Sequence, residues 1–261
     1  TYWLFLAGYL LVFNKFISMN SQQPFRFSTG VIGYPIAFVL VIWIVYWIEL
    51  RFGYRLNDFG VYPRTLSGLK GIIFSPFIHG SLEHLYHNST PLLLLSMGLF
   101  YFYRPLAWNV ILYGILLSGL CTWIIGSSAY HIGASGLIYV LMSFTLFKGI
   151  FSKHFRLIAL SFVVIFLYGS MLWYVFPVKE NMSWEGHLSG LFVGLVFAII
   201  FRADIPKPPK YAWEASNYDE TEDPFLQQFD AEGNFIELDT EKEPTADSAK
   251  AFHYTYKEKD V

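Results

Sequence analysis

The sequence predicts an all-α membrane protein, a bundle of six membrane-spanning helices, and three observations carry that prediction. Apolar residues come in runs of about twenty, the length that matches the hydrocarbon thickness of a bilayer. Mean hydropathy is +0.41, with 54% hydrophobic and 20% aromatic residues against 15% charged. Lysines and arginines punctuate the ends of the apolar runs rather than their middles. The single cysteine, Cys121, lies inside an apolar run, so neither a disulfide framework nor a thiolate metal cluster is available.

Charge divides the chain. Residues 1–202 hold 12 Lys and Arg against 5 Asp and Glu, whereas residues 203–261 hold 6 against 15. Three segments follow. Residues 1–33 form an N-terminal segment, a short apolar stretch ("TYWLFLAGYLLVF") and then "MNSQQPFRFSTG", where Met19 reads as a natural polar start. Residues 34–202 form the membrane domain. Residues 203–261 form an acidic, polar, partly disordered tail, in which only "PFLQQFDAEGNFIEL" has enough apolar content to dock on something.

The first span is predicted over Tyr34–Leu50 and is followed by a long connection. That connection, residues 51–81, is amphipathic ("RTLSGLKGIIFSPFIHG") and is expected to lie in the interface, with Arg51, Arg55, Arg64 and Lys70 reaching lipid headgroups. The second span is Leu82–Tyr103, the third Ala107–Ile125 and the fourth Ser135–Ile150. Pro105 and the basic turn "KGIFSKHFR" separate neighbouring runs. The fifth span is predicted over Phe155–Phe176 and the sixth over Trp184–Phe201.

Six spans place Arg26, Arg104, Lys148, Lys153, Arg156, Arg202, Lys207 and Lys210 on one side, which predicts cytosolic termini and a first loop outside. The second, fourth and sixth helices then all run inward from the outer face. Lys148 follows Ser135 by 13 residues, Arg202 follows His187 by 15 and Arg104 follows Asn88 by 16. These separations are descents of about 20, 22 and 24 Å along a helix. With each cation at the inner interface, Ser135, His187 and Asn88 share one level below the outer surface.

Those three residues have the chemistry of a hydrolytic site. Ser135 opens a helix, where backbone N–H groups lack intrahelical partners and the dipole favours an oxyanion. Gly133 and Gly136 flank it and permit close approach of backbone and helices. His187 is an ionisable residue at the start of a span, beside the i, i+4, i+8 stripe of Gly186, Gly190 and Gly194. If that stripe faces Gly136, the imidazole reaches the serine hydroxyl.

His84 and Asn88, four apart, share a helix face and suit the other side of an oxyanion. His79 is better placed to tie down the first loop, His87 is superficial, and His131 is a solvated or loop-fixing histidine. The fourth and sixth spans hold no carboxylate that completes a triad: Glu185 stands only two residues from His187 along a helix, pointing away. A Ser–His dyad follows, with the histidine as base and then acid. Tyr139, one turn after Ser135, can stack on the imidazole. The histidines lack carboxylates at ligand spacing, so no metal and no cofactor is expected.

Taken together, these motifs resemble the rhomboid family of intramembrane serine proteases. They are H-x4-H-x3-N at His79, His84 and Asn88, GxSG at Gly133–Gly136, and GHxxGxxxG at Gly186–Gly194. The resemblance covers roughly residues 34–202. It implies a rhomboid-like six-helix bundle with a polar cavity open to the extracytoplasmic side, Ser135 as nucleophile, His187 as base, and Tyr139 stacked on it. It also implies an oxyanion hole from His84, Asn88 and the Ser135 amide, and cleavage of transmembrane protein substrates in the cell membrane. Membrane lipids are the other expected partner, and nucleic acid is not one. Many family members carry a Trp-Arg pair in the first loop; residues 51–81 have none, which puts that loop's conformation in question. Two other functions fit the same bundle: a catalytically silent binding scaffold, and a small polar-solute transporter, against which stands the lack of a detectable inverted repeat.

Overall fold

The computed structural model describes residues 28–167, 172–179 and 182–201, and in the tail residues 213, 218–223, 225–230 and 232–236. Most of the predicted N-terminal segment, Arg26, Arg202, Lys207 and Lys210 lie outside the described residues. The chain divides into two compact units, Thr1–Pro206 and Lys207–Val261.

In the first unit the long helices are α1 (Thr29–Phe52), α2 (Leu82–Phe102), α3 (Arg104–Ile125), α4 (Ser135–Phe151), α5 (Phe155–Leu167) and α6 (Trp184–Ile200). No strand is formed among the described residues, and Val61 and His131 make an isolated antiparallel bridge. Each boundary has a local cause. Gly53 closes α1 in the left-handed conformation at φ 68°. Ser81 caps α2 by accepting from the His84 N–H, and Ser183 caps α6 by accepting from the Gly186 N–H. Helix α3 starts three residues before the predicted Ala107, because Pro105 at the first turn has a preset φ and no N–H to lose.

The fifth span is shorter than predicted. Helix α5 is described only to Leu167, and Trp173–Val175 is a separate 3-10 turn, so the predicted continuation to Phe176 is wrong. An unbroken apolar run cannot distinguish one long helix from a helix and a turn.

The described helices expose large apolar side chains and bury hydroxyls beside their hydrophobic core. Leu40, Ile44, Trp47 and Leu50 of α1 and Phe166 of α5 are exposed, while Ser143 and Ser161 are buried and donate to the carbonyls of Leu191 and Leu157. That arrangement suits lipid as solvent, where a hydroxyl finds its acceptor on a backbone carbonyl. Helices α1 and α3 are long and apolar enough to cross a membrane on length and composition. Helices α4, α5 and α6 are shorter apolar helices.

Helices α4 and α6 are the most extensively packed pair, and glycine is the reason. A Cβ on Gly190 would overlap the Gly136 carbonyl oxygen, and one on Gly194 would overlap the Val140 carbonyl. Down the seam Tyr139 meets His187, Ser143 Oγ donates to the Leu191 carbonyl at 2.7 Å, and Lys148 Nζ donates to the Ala198 carbonyl at 3.3 Å. The sequence offsets of these pairs are 48, 48 and 50 residues, so the two helices run in the same direction.

Lys148 also donates to the Phe201 carbonyl and is buried. It is therefore not a headgroup cation, as the depth argument assumed. It caps the C-terminal end of α6, where a cation meets the negative end of the dipole. The lower ends of α4 and α6 remain level all the same.

In the first loop Arg64 departs from expectation. Arg64, at φ 57°, turns inward and donates from Nη1 to the carbonyls of Ile124 (3.2 Å) and Gly126 (2.8 Å) at the end of α3, instead of reaching headgroups. Trp123 Nε1 donates back to the Thr65 carbonyl at 2.8 Å. These bonds, with the Val61–His131 bridge, fix the loop without a Trp-Arg pair inside it. Lys70 lies 4.4 Å from the centre of the Phe59 ring.

In the second unit, Glu220–Glu222 and Leu226–Gln228 form 3-10 turns, and Phe229 pairs with Phe235. Asp230 accepts from the N–H groups of Glu232 and Asn234 in the turn between them.

Candidate active site

Ser135 is the first residue of α4, preceded by Ala134 at φ −77°, ψ −2°, and no side chain caps the helix. The serine is thus not a cap itself, and the first-turn N–H groups lack the side-chain acceptor that α2 and α6 have. Ser135 is half-buried and borders a cavity of about 40 Å³, room for at least one water. Ser118 and Thr122 of α3, His131 and Ser183 also line it, but His187 does not.

Gly133 adopts φ 107°, a backbone region that side chains disfavour. Its N–H donates to the Ser75 carbonyl at 2.9 Å, tying it to the first loop. A Cβ at this glycine would lie 2.6 Å from His84 Nε2 and 3.4 Å from Asn88 Nδ2. Those two α2 side chains therefore converge on the backbone two residues before Ser135. Asn88 Nδ2 is buried without a hydrogen-bond partner among the described residues. A buried, unsatisfied donor is costly unless something accepts from it.

His187 is buried on the first turn of α6. Its Nδ1 lies 2.8 Å from the Tyr174 carbonyl oxygen. A carbonyl only accepts, so Nδ1 carries the proton and Nε2 keeps its lone pair. Tyr139 stacks on the ring at 4.4 Å with the planes 15° apart. Among the described hydrogen bonds none joins Ser135 to His187. The two sit on facing first turns, with the Gly186 carbonyl 3.6 Å from a Cβ placed on Gly136. Catalytic contacts of this kind are commonly loose before substrate arrives.

The remaining histidines separate cleanly. His79 is buried with its ring edge-on to His84 at 5.1 Å, so it packs against an α2 side chain. Burial lowers its pKa to about 3, with His84 adding to the effect. His87 is largely exposed and faces Glu83 at 3.8 Å. His131 is buried and fixes its loop. Glu185 points away from catalysis, its Oε1 accepting from the Ser127 N–H at 2.9 Å.

Four residues contribute without having been singled out by their sequence. The Tyr174 carbonyl is a backbone group and leaves no sequence signal. Ser183 reads only as a helix cap. Ser118 and Thr122, an i, i+4 hydroxyl pair in the apolar third span, were a legible polar stripe whose partner face was not.

The family model for the Rhomboid domain matches residues 67–204, a stretch that holds His79, His84, Asn88, Ser135 and His187. The chain belongs to the rhomboid family. Rhomboids are membrane-embedded and generally intramembrane serine proteases. This rhomboid is 37% identical over 184 residues to uncharacterized proteins of Mycobacterium tuberculosis and Mycobacterium bovis, covering 64% of this chain and 74% of each of theirs. An uncharacterized protein of Mycobacterium leprae is 30% identical over 184 residues, covering 64% of this chain and 70% of its own. Helix α1 of the rhomboid precedes the matched stretch.

Proposed function

We propose that the protein is an active intramembrane serine protease that hydrolyses peptide bonds in or near the transmembrane segments of membrane proteins. The observation that carries this reading is the state of His187. Its Nδ1–H is held by the Tyr174 carbonyl and its face by Tyr139, on a helix fused by glycine to the one that begins with Ser135.

Ser135 Oγ attacks the scissile carbonyl carbon while His187 Nε2 takes its proton. The carbonyl oxygen becomes an oxyanion facing the Ser135 N–H, Asn88 Nδ2 and His84. His187 then gives the proton to the departing amine. Water, deprotonated by the same nitrogen, cleaves the acyl-enzyme and restores the serine. A backbone carbonyl fills the orienting role that a carboxylate has in a triad, which fits a site that buries few charges.

The substrate is a membrane-spanning segment that unwinds locally, because a helical carbonyl is already hydrogen-bonded. Six spans, a cavity opening on the extracytoplasmic side, cytosolic termini and residence in the cell membrane complete the proposal. It is supported by the cation pattern of the sequence and the shared direction of α4 and α6. The test is Ser135→Ala in purified protein with a model transmembrane substrate. Cleavage falls by several orders of magnitude with folding intact. Undiminished cleavage ends the reading, and a wild-type chain that neither cleaves nor reacts with a fluorophosphonate favours the silent scaffold.

A further inference from the structure

Between the α3–α4 loop and the start of α6 runs a closed circuit of hydrogen bonds outside the dyad. The Gly186 N–H donates to Ser183 Oγ at 3.2 Å. Ser183 Oγ lies 2.5 Å from His131 Nδ1, and His131 Nε2 lies 3.0 Å from the Ser127 carbonyl oxygen. The Ser127 N–H donates to Glu185 Oε1 at 2.9 Å, which returns the path to α6.

The Ser127 carbonyl only accepts, so His131 donates to it from Nε2, and in the neutral ring Nδ1 accepts from the Ser183 hydroxyl. Ser183 accepts from one partner and donates to the other, and no member of the circuit is used twice in one role. His131 and Glu185 are both buried, whereas Ser127 is exposed and Ser183 half-buried, so the circuit is anchored by its two buried side chains. The His131 backbone is held from its far side as well, exchanging two 2.9 Å hydrogen bonds with Val61 of the first loop.

The circuit is placed where it can register the two reacting groups. His131 stands four residues before Ser135 on a short segment whose Gly133 is tied to Ser75. Ser183 and Glu185 stand four and two residues before His187. The glycine seam fixes how closely α4 and α6 approach, and the Ser143 and Lys148 hydrogen bonds hold it in its middle and at its lower end. The circuit is a directional clamp at the upper end.

We propose that His131, Ser183 and Glu185 are positioning residues that set the registry of Ser135 against His187. The proposal rests on the protease reading above. Displacement of about 1 Å from a reactive geometry costs on the order of a hundredfold in rate, so loss of the clamp lowers kcat far more than it alters KM.

The experiment uses the full chain in detergent micelles, read by the rate of fluorophosphonate labelling and by kcat and KM on a transmembrane substrate. His131→Leu and Ser183→Ala each slow labelling and kcat by about ten- to a hundredfold with KM within about twofold. The double variant loses less than the product of the two single losses, because the His131–Ser183 link is common to both. Glu185→Gln keeps an oxygen acceptor for Ser127 and most of the rate, while Glu185→Asp, one methylene short, does not. Wild-type rates in His131→Leu and Ser183→Ala, or losses that multiply in the double variant, overturn the proposal. If those two variants fail to fold, equal rates for Glu185→Gln and Glu185→Asp overturn it. Failure of the unaltered chain to label is a separate result and removes the dyad itself.

Discussion

Tyr139 lies stacked on His187, the ring centroids 4.4 Å apart and the planes 15° from parallel. The two residues come from co-directional helices, so the contact both locks the imidazole plane and ties the upper turns of α4 and α6 together. Tyr139→Phe keeps the ring and is expected to retain kcat within a few-fold. Tyr139→Leu loses the stack, worth about 1 kcal/mol, and slows kcat about fivefold. Steady-state kinetics on folded protein decide this, and equal rates for the two variants would remove the stack from the mechanism.

Gly133→Ala is expected to cut kcat/KM by about a hundredfold or more, the scale of losing an oxyanion donor. The new methyl meets the His84 ring at 2.6 Å and must also adopt φ 107°. A melting curve separates this effect from unfolding. Normal cleavage by Gly133→Ala would show that His84 does not serve the oxyanion.

The glycine seam predicts a contrast between two alanine substitutions. Gly190→Ala drives its methyl into the Gly136 carbonyl and is expected to destabilise by about 1–3 kcal/mol while separating the dyad. Gly33→Ala in α1 meets nothing within 4 Å and is expected to be neutral or stabilising by up to about 1 kcal/mol. Thermal denaturation of both in the same detergent is the measurement, and equal melting temperatures would contradict the seam.

Acid should loosen the first loop through His79. Its folded pKa is lowered from 6.5 to about 3, chiefly by burial, so between those values the unfolded chain binds a proton that the folded chain refuses. The stability contributed by neutral His79 is complete above pH 6.5 and declines as pH falls toward 3. His79→Leu removes that dependence, so its melting temperature falls less steeply with acid than that of the unaltered chain. Parallel slopes would refute the assignment.

How much of this was legible in the sequence depends on whether a side chain or the backbone supplies each part. Helices α1 to α4 and α6 follow from apolar runs with caps and prolines at their ends, and their predicted limits hold to within a few residues. Helix α5 ends early because nothing in "VVIFLYGSMLWYV" marks where a helix gives way to a turn. The glycine stripe named its own partner, since only another bare backbone can use such closeness. The orienter of His187 is invisible in the sequence, because a backbone carbonyl leaves no trace in residue identity. Lys148 and Arg64 show the same blind spot from the other side. Both read as lipid-facing cations, yet both serve helix-end carbonyls that no sequence pattern advertises.

Because Gly190 and Gly194 leave almost no space between α4 and α6, the pair behaves as one rigid body. The backbone placement of Ser135 against His187 is then completed during folding, and only the last closure of their side chains is left to whatever enters the site. Heat should therefore extinguish turnover and tertiary structure together, and admission of a substrate falls to elements other than this pair.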